Sequence, residues 1–160
     1  MLLNCCASTI SVLIKMFSRD FREFVELLIR HKVEYLIVGG YAVGIHGHPR
    51  YTGDLDIWLN PTNENAEKIL ACVNEFGFSS FGLKATDFTK EGNIIQLGQP
   101  PLRIDLLTQI DGVTFHECIR NKTQLEIDGL LIDFIGYNDL LKSKRSSGRL
   151  RDLDDINNLT

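Results

Sequence analysis

Apolar and polar positions along this chain switch between two periods, about 3.6 and 2, and the switches mark out the elements. Phe21, Phe24, Val25, Leu28 and Ile29 recur at helical spacing with Asp20, Arg22, Glu23 and Glu26 between them. This predicts an amphipathic helix with Ser18 as its N-cap. Val33 to Val38 predicts a buried strand, ended by Gly39-Gly40, after which Tyr41 to His46 suits a short helix. Gly47, His48 and Pro49 make a turn. Thr52 to Leu59 is the next strand, closed by Asn60-Pro61. Thr62 or Asn63 caps a helix through about Phe76 that carries Ala66, Ile69, Leu70 and Val73 on one face, and Gly77 ends it. Asn93 to Leu97 and Leu102 to Thr108 read as two strands around a Gly-Gln-Pro-Pro turn, with a further turn at Ile110 to Gly112. Glu126 to Ile135 reads as a hairpin broken at Asp128-Gly129. Asn138 caps a short helix through about Lys144, Ser146-Ser147-Gly148 interrupts, and Asp152 to Leu159 is a last helix. Helices alternate with strands and the strands then cluster. The fold class is α/β (α+β): a mixed β-sheet with packed helices and short C-terminal helices.

A length of 160 residues with 44% apolar and 24% charged content suits one soluble domain with a real core. Residues 1–16 read as an N-terminal extension, loosely ordered or helical, and 17–160 as a single domain. The apolar start is too short for a membrane span and lacks the basic opening of a signal peptide, so no membrane partner is expected. Met16 is a second candidate for the natural start. A net charge of −4 argues against a long duplex DNA partner, since phosphate contacts want a basic surface. Cys5, Cys6, Cys72 and Cys118 show no C-x-x-C spacing, which fits a reducing, cytoplasmic setting without a zinc site.

The candidate chemistry lies in the second strand. Residues two apart in a strand share a face, so Asp54, Asp56 and Trp58 face one way and Leu55, Ile57 and Leu59 the other, into the core. Two carboxylates about 7 Å apart at Cα repel unless a cation lies between them. Magnesium takes oxygen ligands and keeps room for water and phosphate. An isolated D-x-D is more often a solvated strand face, and three neighbours change that balance. Gly39-Gly40 follows a buried strand and lets a phosphate approach the backbone closely. Asp105 sits in the apolar run Leu102 to Leu107, where a charge needs a metal or an ion pair, for instance with Arg50. Arg50 and Thr52 supply a guanidinium and a hydroxyl that can hold phosphate or brace the acids.

Val38-Gly39-Gly40, thirteen residues, then Asp54-Leu55-Asp56-Ile57 resembles the nucleotidyltransferase superfamily with the DNA polymerase β-like catalytic fold. Leu102 to Leu107 supplies the later strand with a third acid. The tail from Leu140 to Leu153, with Lys144, Gly148-Arg149 and Asp152-Leu153, resembles the ending of small bacterial and archaeal members, among them minimal and abortive-infection-type proteins. The resemblance spans roughly Val33 to Leu159. It implies that Gly39 and Gly40 contact the triphosphate, that Asp54, Asp56 and Asp105 are catalytic and hold two Mg2+ ions, and that Asp105 is the general base. It also implies a nucleotide contact for Lys144, whose plainer reading is a solvated helix lysine. Arg149, Asp152 and Asp155 fit an ion-paired clasp on the last helix. His46 and His48 read as exposed turn residues, and Trp58 as either a base-stacking or a core side chain.

The expected activity is Mg-dependent transfer of a nucleoside monophosphate from an NTP to a hydroxyl or phosphate acceptor (RNA or tRNA, protein, or a small molecule), with release of pyrophosphate. The alternative is a non-catalytic nucleotide-binding or toxin–antitoxin module on the same fold. An antitoxin or a second copy of the chain is the partner that small members of this kind would need.

Overall fold

The computed structural model describes residues 7–160, and its first element is a helix, α1 (Ala7–Met16). Leu13 of α1 is buried at 2% exposure, and a Cβ on Gly44 would meet its Cδ2 at 2.8 Å. Ala7–Met16 is helical. Residues 1–6, with Cys5 and Cys6, lie outside the described residues.

Ser18 caps α2 (Arg19–Arg30) by accepting from the Phe21 N–H at 3.2 Å. The buried stripe is Phe21, Phe24, Val25, Leu27 and Leu28, so Leu27 is buried and Ile29 is left 37% exposed. Leu27 is drawn in because α2 packs on α4 (Asn63–Val73), where Cys72 Sγ reaches the Leu27 carbonyl. Full burial of side chains such as Phe24 and Leu28 contributes about 1.5–3 kcal/mol each. Strand β1 (Tyr35–Val38) runs into α3 (Gly39–Ile45), and β2 (Asp54–Leu59) leads to α4, which Thr62 caps at the Asn65 N–H. After α4 a wide turn at Asn74–Phe78 reverses at Gly77, whose φ is 113°. A 3-10 turn, Ala85–Phe88, then plugs Phe88 into the core at 0% exposure.

The second half holds β3 (Ile94–Gln99), β4 (Leu102–Leu107), α5 (Phe115–Arg120), β5 (Thr123–Ile127), β6 (Leu130–Phe134), α6 (Tyr137–Ser147) and α7 (Leu150–Leu159). The Asp128-Gly129 turn between β5 and β6 has φ of 50° and 79°, as a two-residue hairpin requires. Gly148 ends α6 in the left-handed region with φ 62°. Helix α5 was not expected. It has six residues, of which Phe115 and Cys118 are buried, too few turns to display a period.

The strands form one six-stranded sheet in the order β3-β4-β2-β1-β6-β5. β1 pairs antiparallel with β2 and parallel with β6, while β2 pairs parallel with β4. β3 and β5 are antiparallel edge strands. The β2–β4 register sets Leu55 beside Ile104 and Ile57 beside Leu106 on one face, all within the core. On the opposite face Asp54 stands beside Arg103, Asp56 beside Asp105 and Trp58 beside Leu107. Among the described residues, no helix is long and apolar enough to cross a membrane.

Candidate active site

A cavity of about 360 Å³ opens over the polar face of β2 and β4. Asp54, Asp56, Asp105, Gly39, Gly40, Arg50, Thr52 and Lys144 all line it, so residues spread from position 39 to 144 meet in one place. His46 and His48 do not line it. His46 is tied to the Ile135 carbonyl at 2.8 Å and packs edge-on against Tyr137. Trp58 shares the acids' face but is 2% exposed and packs against Phe115 with ring centroids 5.2 Å apart, which makes it a core residue. Its Nε1–H has no hydrogen-bond partner among the described residues.

Local backbone chemistry explains the glycine turn. Gly39 sits at φ 65°, a region that L side chains rarely adopt, and a Cβ there would collide with the Asp56 carboxylate. Gly40 admits the Thr52 side chain, whose Cβ would lie 3.0 Å from an added methyl. Thr52 in turn donates to the Asp54 carbonyl at 3.2 Å, bracing the start of β2.

Asp105 is 7% exposed, and its ion-pair partner is not Arg50 but Arg103. Arg103 Nε donates to Asp105 Oδ1 at 2.7 Å and an Nη donates to Oδ2 at 2.9 Å. The same Nη reaches Asp54 Oδ2 at 3.3 Å. The reason is the strand period: Arg103 is two residues from Asp105 on the same face, whereas Arg50 is claimed elsewhere. Asp56 receives no such partner. Its burial, then the charges of Asp105 and Asp54, push it up to about 7 against the pull of Arg103 and Lys144.

Arg50 pairs through Nε and Nη with Asp155 at 2.9 and 3.1 Å. Lys144 is not a solvated helix lysine: it is 6% exposed, and its Nζ donates to Asp152 at 2.8 Å and to Asp155 at 2.9 Å. Ser147 adds a hydroxyl to Asp152. Burial pushes Asp155 upward, but hydrogen bonds from Arg50 and Lys144 and their charges outweigh it and hold the carboxyl below its ordinary range. Asp152 is held low in the same way by Lys144 and Ser147. Arg149 lies at the edge of this clasp, 76% exposed and 3.8 Å from both Asp111 and Asp152.

The oxygen donors of Asp54, Asp56 and Asp105 have the chemistry magnesium prefers. Among the described residues, though, no three acidic, histidine or cysteine side chains meet at one point as a metal shell requires. Both Asp105 oxygens are turned to Arg103 instead. Ile94, Leu107, Gln109, Ile110 and Asp111 form a further wall of the cavity that was not expected as part of the site. Arg103 was also missed, although its alternation with Asp105 was readable. Cys72 and Cys118 are buried thiols, each pushed up to about 12 by burial, and neither lines the cavity.

No family model matches this sequence, and no curated protein matches it. Solved structures do. A candidate nucleotidyltransferase from Thermotoga maritima superposes with a TM-score of 0.60 at 17% identity, over 87% of this chain and 89% of that one. The lincosamide antibiotic adenylyltransferase LnuA, solved with lincomycin bound, superposes with a TM-score of 0.53 at 14% identity, over 89% of this chain and 95% of that one. The chain has the nucleotidyltransferase fold, with its mixed six-stranded sheet.

Proposed function

We propose that this protein transfers a nucleoside monophosphate from an NTP to a hydroxyl or phosphate acceptor, releasing pyrophosphate. The observation that carries the reading is the β2–β4 register, which sets Asp56 beside Asp105 with Asp54 on the same face, all three open to one cavity. The likeness to a lincosamide adenylyltransferase supports it as an analogy of fold.

In this reading Asp54, Asp56 and Asp105 would hold Mg2+, which when bound would supply positive charge for an in-line displacement. The chain does the rest. Gly39 and Gly40 line the cavity at the start of α3, where a triphosphate would lie against the turn. Arg50 and Lys144 line that side of the cavity, held there by Asp155, so that their remaining N–H groups can meet phosphate oxygens. Asp105 is the base for the acceptor hydroxyl. Asp56, pushed up to about 7 by its burial and its acidic neighbours, would be favoured as a carboxylate ligand by a bound cation. The side wall of Ile94, Leu107 and Ile110 gives an apolar surface for a flat or greasy group of the nucleotide or acceptor.

The test is incubation of the protein with labelled NTPs, Mg2+ and cell extract or candidate acceptors. Label transfer should vanish in Asp56→Asn, and undiminished transfer by that variant would sink the assignment. A second reading, nucleotide binding without turnover, is favoured by the engagement of both Asp105 oxygens with Arg103. It predicts that Mg-nucleotide protects the fold from thermal unfolding while no acceptor gains label.

A further inference from the structure

Arg103 is the side chain most closely bound to the three acids. Its planar guanidinium takes both oxygens of Asp105, at 2.7 and 2.9 Å, and extends one of the same N–H groups to Asp54 at 3.3 Å. A bidentate arginine–carboxylate pair is among the stronger and more directional polar contacts in proteins. A divalent cation entering at Asp105 would meet oxygens already engaged and a positive charge already there.

The contact also has an exit. The Arg103 side chain is 24% exposed, so the guanidinium is not sealed from solvent. Its neighbour on β2 is Asp54, and its neighbour on β3 is Gly98, which has no side chain. The β3 position directly opposite Arg103 therefore carries no side chain that could hold the guanidinium in place.

Resting on the proposed transfer reading, we infer that Arg103 is a resident counter-ion that keeps the carboxylates paired until a metal–nucleotide complex displaces it. Metal loading is thereby coupled to nucleotide binding. A bare divalent cation must break the fork and leave the guanidinium without a partner. A cation carried by a triphosphate brings its own oxygen ligands, and the triphosphate offers the released guanidinium a new anion. The three acids then exchange one positive partner for another, and Asp105 is freed to accept a proton only when substrate is present.

The probe is Mn2+ alone, with free ion counted by electron paramagnetic resonance. Wild type should bind it weakly, Arg103→Gln more tightly by roughly tenfold or more, and Arg103→Lys, which keeps the charge without the fork, in between. The Arg103→Gln/Asp56→Asn double variant should lose the gain. With a non-hydrolysable NTP analogue present, the gap between wild type and Arg103→Gln should narrow. A second measurement needs no variant: the 15N–1H signal of Arg103 Nε in the wild type should move when Mg-nucleotide binds. A folded Arg103→Gln that binds Mn2+ no more tightly than wild type overturns the inference, as does an Nε signal unmoved at saturating Mg-nucleotide. If that happens while Mn-nucleotide still protects wild type, but not Asp56→Asn, from thermal unfolding, the transfer reading stands without the counter-ion. Absence of both Mn2+ and Mn-nucleotide binding in every variant overturns both.

Discussion

Two clusters of charge face each other across the same cavity, and they are built on opposite principles. On the floor, Asp54, Asp56 and Asp105 share one cation, Arg103, so negative charge is in excess. On the wall, Asp152 and Asp155 face Arg50 and Lys144, and the charges balance. The wall is satisfied by the protein itself, and its carboxyls are held low. The floor is not, and Asp56 is pushed up to about 7. A buried cluster that balances is a brace; one that leaves a charge in excess must take up a proton or a cation. In this chain the brace carries α7 against the rest of the domain, since Arg50 and Asp155 lie 105 residues apart.

The sharpest way to break this comparison is to unbalance the brace. Asp155→Ala leaves Arg50 and the 6%-exposed Lys144 short of a partner, and should cost about 3–5 kcal/mol in urea or thermal unfolding. A loss under 1 kcal/mol, about the level of a surface pair, would show that the clasp is ornamental. Gly39→Ala comes next. Its Cβ meets the Asp56 carboxylate at a φ of 65°, so both stability, by about 1–3 kcal/mol, and nucleotide transfer should fall.

Asp56→Asn should go the other way and stabilise the fold. Because the folded-state value is raised, the protonated form is the favoured one in the native protein. The Asp56 contribution to wild-type stability should therefore decline as pH climbs from about 4 to about 7 and level off above that. The variant escapes that decline, gaining about 1–2 kcal/mol at pH 8 and almost nothing at pH 4, as melting curves across that range will show. The brace titrates in the opposite sense. Asp152 and Asp155 are held low, so their contribution is whole above about pH 4 and disappears as the pH falls further. The smallest effect marks the edge of the brace. Arg149→Gln, at 3.8 Å from its acids and 76% exposed, should change unfolding free energy by less than about 0.5 kcal/mol.

Much of this site could be read along the chain. The acids announced themselves by alternation within β2, and the glycine turn by its position after an apolar strand. What failed to appear was pairing between distant segments. Asp152 and Asp155 were recognised as clasp residues from the tail, but their cations, Lys144 and Arg50, come from α6 and from the loop before β2. A reading along the sequence has no register for that, and so Arg50 was offered to Asp105. Arg103 is a different failure. Its position two residues before Asp105 places it on the acids' face, so the strand period alone brings the two together. Helix α5 was missed for want of length, since one and a half turns give a period too little room to repeat.

By itself, the sequence decided which side chains share a face, because a strand's period of two and a helix's of 3.6 follow from local backbone geometry. It also decided where the chain must turn, because Gly39, Gly77 and Gly148 take conformations other residues avoid. Only the tertiary structure decided which faces meet. Asp56 stands beside Asp105 because Leu55 and Ile57 must bury themselves next to Ile104 and Leu106, and a shift of one residue would turn every acid into the core. The partner of a charge is settled by the packing of the apolar residues on the other side of the sheet, and that packing is a property of the whole chain.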